Sequence, residues 1–139
     1  MIVIKNKLIP FGDYTCINLF GILFTKIKLS DEGINHENIH SVQLLELIPI
    51  GAIIILFIDL FVDMSLWWYL LSICTFYVFY CVEYLAIRLF HKKQEDAYYD
   101  VSFEEEAHIN DKNLNYLKTR KRYSSFKYIK IKSAKRYDC

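Results

Sequence analysis

The chain has 139 residues, of which 54% are hydrophobic, 17% aromatic and 24% charged, with four Gly and two Pro. That length limits it to one domain or one compact membrane unit, and the apolar fraction argues against both disorder and a plain soluble domain. The net charge of +1 is a cancellation: from residue 112 onward ten Lys or Arg face Asp138 alone, so that stretch carries +9 and the rest of the chain -8.

Residues 1–29 contain two apolar runs, Met1 to Ile4 and Cys16 to Phe24, separated by the turn residues Pro10, Gly12 and Asp13. They predict a β-hairpin or strand pair. Lys5 and Lys7 ahead of the second run give it some signal-peptide character, but no small-residue cleavage pattern follows, so the segment is read as retained. A helix is expected over 31–48, with Ser30, Asp31 and Asn35 as alternative N-caps and Pro49 as its kink or end.

The apolar hairpin covers 47–90. Its two runs, Leu47 to Val62 and Leu66 to Val82, hold about 16 and 17 residues, the short limit for crossing a hydrocarbon layer of roughly 30 Å. Trp67, Trp68 and Tyr69 suit an interface. A buried helix pair in a soluble bundle is the rival reading. Glu83 and Arg88 carry charge in an apolar setting and are expected to pair with each other or with Gln43 and Glu46.

A polar linker over 91–100 leads to a predicted helix over 102–117, with Phe103, Ala107, Asn110, Leu114 and Leu117 on one face. The basic tail, 118–139, interleaves Lys and Arg with Tyr and Phe. Beside an apolar hairpin it is read as meeting anionic lipid headgroups rather than nucleic acid, which is not expected as a partner. Both chain ends leave the hairpin on the same side with nearly all the cations, so they are expected to be cytoplasmic. The four cysteines, Cys16, Cys74, Cys81 and Cys139, lack CxxC spacing and read as reduced packing residues.

The informative motif is His36-Glu37-Asn38-Ile39-His40, an HExxH sequence. On a helix, residues 36 and 40 lie one turn apart on one face, so both imidazoles reach one Zn2+ ion. Glu37, one position on, is kept off the ion and is placed to act as general base toward water. A shuffled chain of this composition contains the motif about 0.6% of the time, so context has to add to it. The predicted helix and the acidic segment downstream do so. Glu104, Glu105, Glu106 and His108 are all open as third ligand, and Asp111 is the nearest acceptor to orient a ligating histidine.

These residues, with Glu83-Tyr84-Leu85-Ala86, Ala97-Tyr98 and Ser102-Phe103-Glu104-Glu105-Glu106-Ala107, resemble small bacterial membrane-associated proteins of HExxH zinc-metallopeptidase type. More distantly, the pattern is similar to membrane gluzincins of the CAAX prenyl protease and HtpX type. The resemblance runs from about Pro10 to Lys130. It implies a mainly α, membrane-embedded minimal gluzincin with an N-terminal β-hairpin. It also implies His36 and His40 as zinc ligands, Glu37 as catalytic base, and Glu104 as third ligand with Glu106 as second choice. Residue 108 is His where the larger relatives carry Asp. His108 and Tyr98 are the available oxyanion donors, and Cys16 to Phe24 is the expected edge strand for substrate.

The expected activity is peptide-bond hydrolysis at the bacterial inner membrane, with the site on the cytoplasmic side and a peptide or protein as substrate. The alternative is a non-catalytic zinc-binding or structural membrane protein. Oligomeric state is not legible from the sequence.

Overall fold

The computed structural model describes residues 2–12, 15–90 and 94–129. Part of the expected basic tail (130–139), the turn residue Asp13 and part of the linker (91–93) therefore lie outside the described residues. The order is β1 (Ile2–Lys5), β2 (Cys16–Leu19), β3 (Ile22–Thr25), α1 (Asp31–Asp59), a 3-10 helix (Leu66–Cys74), α2 (Thr75–Phe90), α3 (Gln94–Tyr99), α4 (Ser102–Asn110), α5 (Tyr116–Thr119) and a second 3-10 helix (Ser124–Tyr128). The chain is mainly helical, with a small sheet at its N-terminal end.

That sheet has three strands, not the expected pair. Its order is β1-β3-β2, with β1 parallel and β2 antiparallel to β3. The run from Cys16 to Phe24 is not one strand: Leu19 pairs with Ile22 across a two-residue turn, with Phe20 at φ 53° and Gly21 at φ 80°. Positive φ at both positions is the twist that suits a tight hairpin. The Phe20 cost is offset locally, since its N–H donates to Tyr77 Oη at 2.7 Å and its ring packs edge-on against Tyr77 at 5.2 Å.

Helix α1 starts where expected, with Ser30 Oγ accepting from Gly33 N at 3.1 Å and Asp31 and Glu32 in the first turn. It does not end at Pro49. It runs 29 residues through it, so the motif helix and the first apolar run are one rod of about 44 Å. Proline removes one backbone donor, a loss that an apolar, packed helix can absorb. Two residues on, Gly51 lets the 3-10 segment approach closely, because a Cβ there would overlap Thr75 Oγ1 and lie 3.1 Å from Ser72 Cα. At the far end Asp59 closes the turn by accepting from Met64 N at 2.9 Å and Tyr69 Oη at 3.1 Å.

The segments Asp31–Asp59 and Leu66–Leu89 are both long and apolar enough to cross a membrane. Their most apolar windows are only 22% and 17% buried, whereas the core helix of a soluble bundle is mostly buried. Phe57, Leu60, Phe61, Leu66 and Trp67 stand exposed around the hairpin tip, an apolar surface well beyond scattered single residues.

The core sits at the other end, where Leu44, Leu47, Phe76, Ile87, Ala97, Val101 and Phe103 meet. Helix α4 is buried from Ser102 to Ala107 and is fixed at both ends by side chains from distant helices. Glu83 accepts from Ser102 N at 3.1 Å and Ser102 Oγ at 2.7 Å, capping the helix start. Asn35 Nδ2 donates to the carbonyls of Asn110, Asp111 and Asn113 at 2.8 to 3.2 Å. This capture ends the helix at Asn110, where a continuation to 117 was expected, and Leu114 is left exposed.

Gly51→Ala tests the close approach. Rotation of Thr75 relieves one contact, but the tight contact with the Ser72 backbone remains, so a loss of about 1–3 kcal/mol is expected from overpacking. Thermal unfolding in detergent measures it, and unchanged stability would contradict the described packing.

Candidate metal centre

The N-terminal turns of α1 face α4. His36 Nε2 and His40 Nε2 lie 3.1 Å apart, and Glu104 Oε2 sits 3.4 Å from the first and 3.5 Å from the second. These three atoms form a nearly equilateral triangle. For ligand bonds of about 2.0–2.1 Å and tetrahedral angles, donor atoms should be about 3.3–3.4 Å apart. The triangle matches that spacing without rearrangement.

Its chemistry points the same way. Glu104 Oε2 is buried without a hydrogen-bond partner, while Oε1 accepts from Tyr80 Oη at 3.1 Å. Burial alone would raise the Glu104 carboxyl, but the adjoining His40 and His36 outweigh it and hold the group well below the usual carboxylate range. The site is thus an anionic oxygen beside two ring nitrogens, a donor set that suits zinc. His36, His40 and Glu104 form a group able to hold a metal ion.

The Nδ1 proton of His40 is fixed by its neighbour. Gln43 Nε2 donates to Glu106 Oε2 at 2.9 Å and to the Phe103 carbonyl at 3.2 Å, and both of these are acceptors only. Gln43 Oε1 must therefore face His40 Nδ1, at 2.8 Å, and receive its proton. Burial would lower the His40 pKa, but the Glu104 carboxylate beside it pushes it up to about 9, so near pH 7 Nε2 also carries a proton, which a bound ion would displace.

Glu37 lies outside the triangle and is buried on the side toward the sheet. Cys16 Sγ donates to its Oε1 at 3.5 Å, and Asn18 Nδ2 donates to its backbone carbonyl at 2.9 Å. Edge strand β2 is thereby seated along the motif helix. Burial and then the Glu37 charge push the Cys16 thiol up to about 11, so it is neutral near pH 7, neither a nucleophile nor a ligand.

His108 and Asp111 flank the triangle. His108 Nε2 is 3.7 Å from Glu104 Oε2, and Asp111 Oδ2 lies 3.8 Å from His108 Nδ1 and 4.0 Å from His36 Nδ1. These separations exceed a hydrogen bond, so Asp111 acts on both rings through its charge. Burial, then proximity to His36, lowers the His108 pKa. His36, His108 and Asp111 form a second possible metal group, which shares His36 with the first and is the more exposed of the two. Tyr98 is held to Glu104, and burial followed by that carboxylate pushes its hydroxyl pKa up, so it keeps its proton.

Glu105 is buried but belongs to neither donor group. Glu106, the second choice as ligand, is turned away: Arg120 Nε donates to its Oε1 at 2.7 Å and Tyr116 Oη to the same atom at 2.7 Å. Gln43, Tyr80 and Arg120 went unrecognised as parts of the site. Gln43 had a usable signal, since it lies three residues after His40 on the same helix face. Arg120 had none, being one cation of ten in a basic segment.

No family model, curated protein or solved structure matches this chain.

The raised Cys16 pKa gives a direct check. At pH 8 about one Cys16 in a thousand is thiolate, against about a quarter for an ordinary cysteine. Iodoacetamide should thus label Cys16 roughly two orders of magnitude more slowly in folded than in denatured protein, read by peptide mass spectrometry. Equal rates would mean that the thiol does not face Glu37.

Proposed function

We propose that the chain is a membrane-anchored zinc metallopeptidase of minimal gluzincin type. The observation that carries this reading is the His36–His40–Glu104 triangle, with donor spacings of 3.1 to 3.5 Å and an orphaned, buried carboxylate oxygen. His36, His40 and Glu104 hold the ion. Bound there, zinc supplies Lewis-acid activation of water and of the scissile carbonyl.

The rest is done by side chains. Glu37 takes the proton of the attacking water and passes it to the leaving amine. Strand β2 is an edge strand, so one side of its backbone is open for an extended peptide beside Glu37. His108 and Tyr98, both beside Glu104, serve the developing oxyanion. His40 is seven residues, about 10 Å along the helix, ahead of Leu47, where the apolar run begins. The site therefore works at the membrane surface, on peptide segments lying near it. Positive charge near the chain ends orients it toward the cytoplasm, and anionic lipid is the partner of the exposed Lys118, Lys121 and Arg122.

One observation favours the alternative of a non-catalytic zinc protein. His108 lies beside the triangle, its Nε2 3.7 Å from Glu104 Oε2, so a shift of its ring toward His40 would close the fourth position.

Purified protein should bind about one zinc per chain, and His36→Ala or Glu104→Ala should abolish stoichiometric binding. Glu37→Gln should keep the zinc and lower peptide-library hydrolysis about 10²–10⁴-fold. Absence of metal after reconstitution overturns the reading. Zinc without turnover in the wild type, with affinity lost in His108→Ala, selects the closed, non-catalytic site.

A further inference from the structure

A hydrogen-bonded chain runs from the candidate metal centre to the C-terminal segment, and none of its members beyond His40 is needed to hold an ion. His40 Nδ1 meets Gln43 Oε1 at 2.8 Å, and Gln43 Nε2 meets Glu106 Oε2 at 2.9 Å. Arg120 forks onto Glu106 through Nε at 2.7 Å and a second nitrogen at 3.2 Å, and also donates to Glu46 at 2.7 Å. With Tyr116 Oη also on Oε1, both oxygens of Glu106 are saturated by donors. The carboxylate has one orientation, and so does the amide it holds.

We infer that Gln43, Glu106 and Arg120 are positioning residues for His40, so that the metal centre is complete only when the segment carrying Tyr116 and Arg120 is docked. The inference rests on the zinc reading above. Its physical basis is the fixed amide: a Gln43 side chain free to flip would offer its NH2 group to His40, driving the imidazole to the tautomer whose Nε2 carries hydrogen and cannot ligate. Glu106 prevents the flip by demanding a donor, and the Arg120 fork keeps Glu106 in place. The arrangement is hard to explain as packing alone. Glu106 is fully buried and the Arg120 side chain is 2% exposed, and buried ion pairs contribute little net stability compared with apolar residues of the same shape.

The test uses the full chain in detergent, with zinc alone as the probe. Zinc affinity is measured by competition with a chromophoric chelator, and the His40 tautomer by nitrogen NMR of ¹⁵N-histidine-labelled protein. Gln43→Leu should weaken zinc binding about 10–100-fold, the range for loss of an outer partner of a ligating histidine, and in metal-free protein should shift the neutral form of His40 from the Nδ1-protonated toward the Nε2-protonated tautomer. Circular dichroism of the metal-free protein checks that the fold is kept. Arg120→Lys keeps the charge but loses the fork. It should reduce affinity by less than Gln43→Leu, and it provides the measurement if Gln43→Leu does not fold. Wild-type affinity and tautomer in the folded variants would overturn the inference while leaving the zinc reading intact. A wild type that binds no zinc removes both.

Discussion

Three consecutive carboxylates, Glu104, Glu105 and Glu106, are buried on one short helix, and much of this fold answers that constraint. A buried carboxylate is tolerated only when donors or cations reach it. Glu104 draws in His36, His40 and Tyr80, and Glu106 draws in Gln43, Tyr116 and Arg120. The motif helix, the second apolar helix and the C-terminal segment thus converge on α4 for electrostatic reasons as much as for apolar burial. The helix itself is kept short and still by Glu83 at one end and Asn35 at the other.

This explains how a small chain with a modest apolar core holds three side chains from two helices at ligand spacing. Nearly half of its apolar residues lie along the hairpin, so packing alone leaves little with which to define a site. Polar interactions across long sequence distances do that work instead. Asn35 reaches across 75 to 78 residues and Arg120 across 74 to Glu46.

Features encoded by short-range periodicity were readable in the sequence. The pairing of His36 with His40 follows from helix pitch, and the hairpin from two uninterrupted apolar runs. Glu104 was singled out from Glu105, Glu106 and His108 only by the resemblance, and the structure groups it with the two histidines. What escaped was decided by tertiary context. Pro49 looked like a boundary, yet packing against the 3-10 segment at Gly51 carries the helix through. Residues 102–117 have helical periodicity, yet Asn35, far upstream, takes the carbonyls that would continue it. Gly21, inside an apolar run, marked a turn that composition hid. Arg120 looked like solvent-facing charge because no local pattern separates a buried cation from its exposed neighbours.

The unbroken passage of α1 through Pro49 puts the two histidines on one arm of a rod whose other arm is apolar and enters the hairpin. His40 lies nine residues, about 14 Å, from Pro49. A tilt of about 5° around that point moves the imidazole by about 1.2 Å relative to α4, more than half the length of a zinc–nitrogen bond. Because both histidines ride on one rod, a tilt leaves their mutual spacing unchanged and alters only their distances to Glu104 on α4.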